Sequence, residues 1–159
     1  MKNVMNIRPA EAKDIKSLIQ LGKQLLDLHV TFDQDYYTLE ENFIQLFQEW
    51  ITEQIAPSQR FILLAEENSQ VIGFIAGFIK ALYPWFKVKS VGHISYMVVD
   101  EKFRQQGVGK LLESAAVSWF KSRNISYVEL YVDEKNATGQ KAWCRYEFLP
   151  FKKFLRKKI

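Results

Sequence analysis

The sequence predicts a mixed α/β fold, one sheet with helices on both of its faces. Three observations predict it. Hydrophobic periodicity switches between about 3.6 and 2 along the chain, giving the order β-α-α-β-β-β-α-β-α-β. Strand 91–99, helix 108–123 and strand 126–132 form a βαβ unit, whose strands are expected to be parallel neighbours with a right-handed crossover. A length of 159 residues with 48% hydrophobic and 25% charged content suits one domain, 1–159, able to bury a core without disulfides.

Residues 4–8 alternate as a short strand and lead through Pro9 into a helix. That helix has Asp14 near its start and Ile15, Leu18, Ile19, Leu25 and Leu26 at helical spacing. A second helix is predicted from Thr38, with Glu41 three residues on in a capping-box pattern and the stripe Leu39, Phe43, Leu46, Phe47, Trp50, Ile51. Arg60–Glu66 and Val71–Ala81 are β-rich, and Glu67-Asn68-Ser69-Gln70 between them reads as a hairpin turn. The loop 82–90 carries Tyr83-Pro84-Trp85-Phe86, which suits an interface, a lid or a local core. After strand 91–99 and a polar stretch ending in Gly107, the stripe Val108, Leu111, Leu112, Ala115, Ala116, Trp119, Phe120 is regular over four turns. A helix is predicted from Asn136 to Tyr146, and a final edge strand over 148–155.

Charge is unevenly distributed. The chain has 22 Lys and Arg against 18 Asp and Glu, a formal +4. Five of those cations (Lys152, Lys153, Arg156, Lys157, Lys158) lie in the last eight residues, so the remainder carries 17 bases against 18 acids. The basic character belongs to the tail, and lysines on an edge strand explain it better than nucleic-acid binding does. Between Lys23 and Arg60 there is no Lys or Arg, while Asp27, Asp33, Asp35, Glu40, Glu41, Glu49 and Glu53 all fall there. Such a run is either a solvated helix face or an acidic lip for a cationic ligand. The lone Cys144 leaves no internal disulfide or Cys-rich metal site, and with no membrane-length apolar run and no signal-peptide core a cytoplasmic location is expected, with no metal, membrane or nucleic-acid partner.

The segment that carries chemistry follows strand 91–99. Arg104-Gln105-Gln106-Gly107-Val108-Gly109-Lys110 leads from the strand's polar exit into the amphipathic helix. Glycines there let a ligand approach the backbone, the helix start offers free N–H groups, and Arg104 and Lys110 add positive charge, so the segment is an anion site. A Walker A loop fails because Leu111 follows the lysine, and a dinucleotide fingerprint fails because Leu112 stands where its third glycine belongs. Arg-x-x-Gly-x-Gly remains, suited to a pyrophosphate-type ligand or, more simply, to ending a loop.

This segment, after Met97-Val98-Val99, resembles the acetyl-CoA signature of the GNAT N-acetyltransferase superfamily. The resemblance extends to Ile7-Arg8-Pro9-Ala10 with Asp14, to Val71-Ile72-Gly73-Phe74-Ile75-Ala76-Gly77, and to Val132 with Asn136. It implies a mostly antiparallel central sheet with a parallel βαβ unit at the acetyl-CoA site. It further implies that residues 104–110 (Arg104, Gln105, Gln106, Gly107, Val108, Gly109, Lys110) hold the pyrophosphate through main-chain N–H groups. Backbone at Met97, Val98 and Val99 would hold the pantetheine arm, with Asn136 and Trp143 beside it. The family's last helix usually carries a Tyr that protonates the departing thiolate; Trp143 stands there, a donor but not a useful acid. Tyr146, one turn on, either substitutes or simply packs.

The reaction so implied is direct acetyl transfer from acetyl-CoA to an amine in a ternary complex, with proximity supplying much of the rate. The amine must lose a proton, and His93, Tyr96 and Glu129 are candidate bases on the central strands. Period 2 sets His93, Ser95 and Met97 on one face and Tyr96 on the other, unless a bulge intervenes. His29 continues an apolar helix face and reads as a packed histidine. Asp33, Asp35 and Tyr36 lie on the connection that borders the acceptor site in this family. A cationic small molecule or polyamine is therefore expected, in preference to a protein N-terminus or lysine. The alternative is a non-catalytic CoA-binding or sensor module on the same fold. A homodimer is compatible with the sequence.

Overall fold

The computed structural model describes residues 5–55 and 58–159; Val4, at the start of the first expected strand, lies outside them. In chain order the elements are β1 (Asn6–Pro9), α1 (Ile15–Phe32), α2 (Gln34–Tyr37), α3 (Phe43–Ile55), β2 (Arg60–Glu67), β3 (Gln70–Ala81), β4 (Ser90–Val99), α4 (Val108–Lys121), β5 (Val128–Leu130) and α5 (Ala137–Arg145). The five strands lie in sequence order across one sheet. β1 to β4 are antiparallel neighbours and β4–β5 is parallel, the mixed sheet with one βαβ unit that the sequence predicts.

Each face of the sheet has its own core. On one, Val108, Leu112, Ala116 and Phe120 of α4 pack on Leu63, Ile75 and Ile94. On the other, Leu18 and Leu21 of α1 and Phe47 and Ile51 of α3 cover Leu64, Phe74 and Val98. Gly92 admits the α4 packing, since a Cβ there would lie 2.7 Å from the Phe120 ring. Ahead of α1, the buried Asp14 accepts from Arg8 Nη1 at 2.7 Å, Arg8 Nη2 at 2.9 Å and the Glu11 amide at 2.9 Å. Arg8 Nη2 also reaches Glu66 at 2.6 Å, so one guanidinium ties β1 and β2 to the start of α1. The hairpin turn forms as predicted, with Asn68 and Ser69 both at positive φ, the geometry of a tight two-residue loop.

Several expectations fail. The helix predicted from Thr38 begins instead at Phe43, whose amide bonds to the Glu40 carbonyl at 3.0 Å. The Thr38 hydroxyl donates back to the Gln34 carbonyl, so the pattern Thr38-x-x-Glu41 caps nothing, and Leu46 faces solvent. Residues 148–155 form no strand. Their apolar members, Phe148, Leu149, Phe151, Phe154 and Leu155, do not alternate, and the pair Lys152-Lys153 interrupts them, so no single face can be buried. Tyr83, Trp85 and Phe86 are exposed, which removes the local-core reading of that loop. No helix among the described residues is long and apolar enough to cross a membrane.

Candidate active site

The sheet opens at one place. β4 pairs with β3 from Ser90 to Val99, but with β5 only through Gly92, His93 and Ile94, opposite Val128, Glu129 and Leu130. β5 then ends. The backbone edge of Ser95–Val99 that faces away from β3 has no strand partner among the described residues; on it lie the N–H and C=O groups of Met97 and the N–H of Val99, whereas Val98 turns its own toward Phe74 of β3 and the Val99 carbonyl accepts from Arg104. An extended ligand can take those hydrogen bonds as a further strand would.

The start of α4 adjoins this opening. Gly107 is the N-cap residue, at φ +84°, and lends no side chain to the helix. The first intrahelical bond runs from the Leu111 amide to the Gly107 carbonyl at 3.1 Å. Val108, Gly109 and Lys110 therefore have no helical acceptors for their amides, which is the geometry of an anion site. A Cβ at Gly107 would meet nothing within 4 Å, so the space before those amides is open. Gln105 is likewise left-handed (φ 61°), and Gln106 donates its side-chain amide to the Lys102 carbonyl at 3.1 Å, which fixes the loop. Arg104 turns back, donating Nε to the Val99 carbonyl at 3.1 Å, and so fastens the loop to the end of β4. Lys110 is engaged by Glu113, 2.8 Å away, whose hydrogen bond holds the ammonium pKa above its ordinary value. Sequence reasoning missed Glu113, a buried acid three residues from the lysine; that spacing on one helix face was the available signal.

The structure brings Tyr146 to the same place. A Cβ built on Gly109 would sit 2.7 Å from the Tyr146 hydroxyl and 3.8 Å from Met97 Cε, and Lys110 lies 5.4 Å from the phenol ring centre. Trp143 packs edge-on against Tyr146 and Phe148 and joins the α4-side core, which accounts for an indole at this position. Asn136 caps α5, accepting the Gly139 amide at 2.8 Å.

A bulge in β4 alters its far end. Ala76 pairs with Tyr96 and Gly77 with Ile94, leaving Ser95 unpaired. Ile94 and Met97 both face α4, so His93 and Tyr96 share the opposite face, contrary to simple alternation. Tyr96 is boxed by Phe47 and Trp50, with ring centres 6.2 and 5.1 Å away, and burial raises its pKa. His93 lies between Phe78 and Tyr131, only 9% exposed, and its Nδ1 has no partner. Burial, then the charge of Lys80, lowers its pKa, with Glu129 opposing. Tyr131, which packs against His93, was not singled out in the sequence, because only the parallel register of β4 with β5, His93 opposite Glu129, sets the two on one face.

Asp33, which joins α1 to α2, and Asp35 and Tyr36 within α2 form a separate group. Asp33 caps α2, accepting the Tyr36 amide at 3.1 Å, and accepts from Arg156 at 2.6 Å, which lowers its pKa. Asp35 lies 3.6 Å from Lys158. The neighbouring Tyr37 hydroxyl donates to Asp133 at 3.0 Å, and Lys135 donates to the Phe32 carbonyl at 2.6 Å, joining this connection to the segment after β5. Asp133 was likewise not legible in the sequence, since its partner lies far away along the chain.

Comparison with known proteins agrees with this geometry. The chain is 24% identical over 143 residues to an uncharacterized N-acetyltransferase of Archaeoglobus fulgidus, covering 88% of this chain and 90% of that one. Among solved structures, a tetramutant of the BH1408 protein from Bacillus halodurans superposes with a TM-score of 0.87 at 20% identity, covering 97% of this chain and 99% of that one. A protein described as a predicted acetyltransferase from Clostridium acetobutylicum, solved with acetyl-CoA, gives 0.77 at 24% identity over 98% and 96%. The aminoglycoside N-acetyltransferase AAC(6')-Iy, in complex with CoA, gives 0.80 at 19% identity over 100% and 97%. The Acetyltransferase (GNAT) family matches residues 22–148. With that match spanning most of the chain, and with the opened β4 edge meeting a glycine-capped helix, this protein belongs to the GNAT acetyltransferase family.

Proposed function

We propose that the protein moves an acetyl group from acetyl-CoA to the amine of a small cationic acceptor, polyamine-like in chemistry, by direct transfer in a ternary complex. The separation of β4 from β5 after Ile94, beside the uncapped N-terminus of α4, carries this reading. The donor set fits a CoA-type ligand. Three helical amides without acceptors and the open space at Gly107 suit a pyrophosphate, and the unpaired β4 edge suits the amide-bearing pantetheine arm. Acetyl-CoA, bound there, supplies an activated acyl thioester.

The chain's own residues then hold and relay protons. Amides of Val108, Gly109 and Lys110 bind the phosphates, and the β4 edge at Met97–Val99 orients the arm and offers N–H groups to developing negative charge. Tyr146, at the mouth of the same cleft, gives a proton to the departing thiolate. A thiol ionises near pH ~8.5, so this assistance is modest. On the far face His93 takes the proton of the acceptor amine. A buried imidazole with a depressed pKa is neutral at pH 7, the form that accepts a proton, whereas the boxed Tyr96 phenol with its raised pKa is a poorer base.

The acceptor's cationic character rests on Asp33, Asp35 and Tyr36 in the cation-free stretch of the sequence. Aminoglycosides, the substrates that name one structural neighbour, are polyamines too. A thiol-release assay with acetyl-CoA and a panel of amines tests the proposal. Turnover of spermidine-like amines above neutral ones is expected. Turnover confined to neutral or acidic acceptors would overturn the acceptor assignment, and CoA binding without turnover of any amine would establish the sensor module instead.

A further inference from the structure

Residues 149–159 adopt no helix or strand, and burial does not hold them in place. Leu149, Phe151, Phe154 and Leu155 are 77%, 78%, 81% and 86% exposed. Charge holds the segment instead. Arg156 donates Nη2 to Asp33 at 2.6 Å and lays its guanidinium over the Tyr36 ring, 4.6 Å from the centre. Lys158 approaches Asp35, and Phe154 rests on Tyr131, 5.9 Å between ring centres. Tyr131 in turn lies 5.2 Å from His93, whose Nδ1 is buried without a partner.

A carboxylate beside an aromatic face is a site for a guanidinium or an alkylammonium. Here the occupant comes from the chain's own tail, and through Phe154 that tail also touches Tyr131, the ring that packs on His93. We propose that Asp33 and Tyr36 form a subsite for a charged group of the acceptor, and that Arg156 fills it as a tethered competitor until an acceptor displaces the tail. This inference rests on the acceptor reading given above. The strength of the contact suits displacement. Exposed ion pairs are weak and salt-screened, while tethering gives Arg156 an effective concentration of about millimolar. A polycation of ordinary affinity can compete with that, whereas a neutral amine gains nothing from the exchange.

Spermidine is the probe, titrated calorimetrically into the full-length chain in the absence of acetyl-CoA. Arg156→Ala is expected to tighten spermidine binding about two- to fivefold, the range that one exposed ion pair spans. Asp33→Asn should weaken spermidine binding and make Arg156→Ala silent in the double variant. Both side chains are on the surface, and circular dichroism verifies that the variants fold. Unchanged or weaker binding in Arg156→Ala overturns the inference, as does a gain that persists in Asp33→Asn. Because the titration needs no turnover, tighter binding without acetylation of any amine would uphold the tethered competitor and overturn the acceptor reading. Acetylation of spermidine with an unchanged affinity in Arg156→Ala would do the reverse.

Discussion

Gly107→Ala tests the fold and the site with one methyl group. Gly107 holds φ +84° at the N-cap of α4, and a Cβ there meets nothing within 4 Å. The change therefore creates no clash, and its effect on the free protein is conformational. An L-residue held in the left-handed region costs about 1–2 kcal/mol. The stiffer unfolded chain returns about 0.4–1 kcal/mol of this. A net loss near 1 kcal/mol lowers Tm by about 2–4 °C for a domain of this size. The methyl also takes up part of the open space at the start of α4, next to the amides of Val108, Gly109 and Lys110, so CoA affinity should fall further than stability does. At 100 Kd a ligand stabilises by about 2.7 kcal/mol, and a tenfold loss of affinity removes about 1.4 kcal/mol of that. Thermal denaturation followed by circular dichroism, with and without CoA, reads both quantities. Gly107→Asn should lose less stability than the alanine variant, because asparagine tolerates this backbone region better. A Tm drop beyond about 10 °C would mean that the methyl strikes packed atoms. An unchanged CoA-induced shift in the alanine variant would refute the placement of the phosphates.

Other outcomes follow from the same geometry. His93 is kept neutral by burial, so its folded pKa lies below its unfolded value of about 6.5; its contribution to stability should be full above that pH and be lost as pH falls through the folded value, and the acid limb of kcat/KM should fall at that lower, folded value. His93→Gln should remove the acid limb of the kcat/KM profile, and an identical limb in that variant would exclude His93 as the base. Tyr146→Phe should lower kcat about tenfold if the hydroxyl donates a proton, a small effect for such assistance because the thiolate leaves readily, with KM for acetyl-CoA nearly unchanged. A loss confined to KM would make Tyr146 a packing residue. Asp14→Asn should destabilise by about 2–3 kcal/mol in urea titrations, since Arg8 keeps only Glu66 as an ionic partner and Asp14 is buried. Arg8 holds the Asp14 pKa low, so that contribution is present above pH ~4 and lost as pH falls through the folded value; an Asn variant as stable as wild type at pH 7 would contradict it.

What could be read from the sequence was what local chemistry determines. The α4 stripe (apart from Leu111, which is exposed), the hairpin turn at Asn68-Ser69 and the glycine-bearing loop 104–109 each follow from side chains within a few residues of one another, and each is present in the structure. The failures share a different character. The Ser95 bulge depends on how β4 meets β3, and it moves His93 to the other face without any mark in the strand's own alternation. Thr38 and Glu41 match a capping pattern, yet the Thr38 hydroxyl finds the carbonyl of Gln34 in the preceding helix. The contact of Arg156 with Asp33 spans 123 positions, so neither charge cluster announced the other, although both were visible as clusters. The tail's missing alternation was visible in the spacing of Phe151, Phe154 and Leu155, and that spacing outweighs the apolar content that suggested a strand.

The central claim is that the opening between β4 and β5, with the N-terminus of α4, is the acetyl-CoA site. A crystal structure of the complex with CoA tests it most directly. The account predicts the pyrophosphate on the amides of Val108, Gly109 and Lys110, and the pantetheine arm hydrogen-bonded along Met97–Val99 with its sulfur near Tyr146. CoA bound elsewhere on the chain, or a β4 edge that stays unpaired while CoA is present, would contradict it.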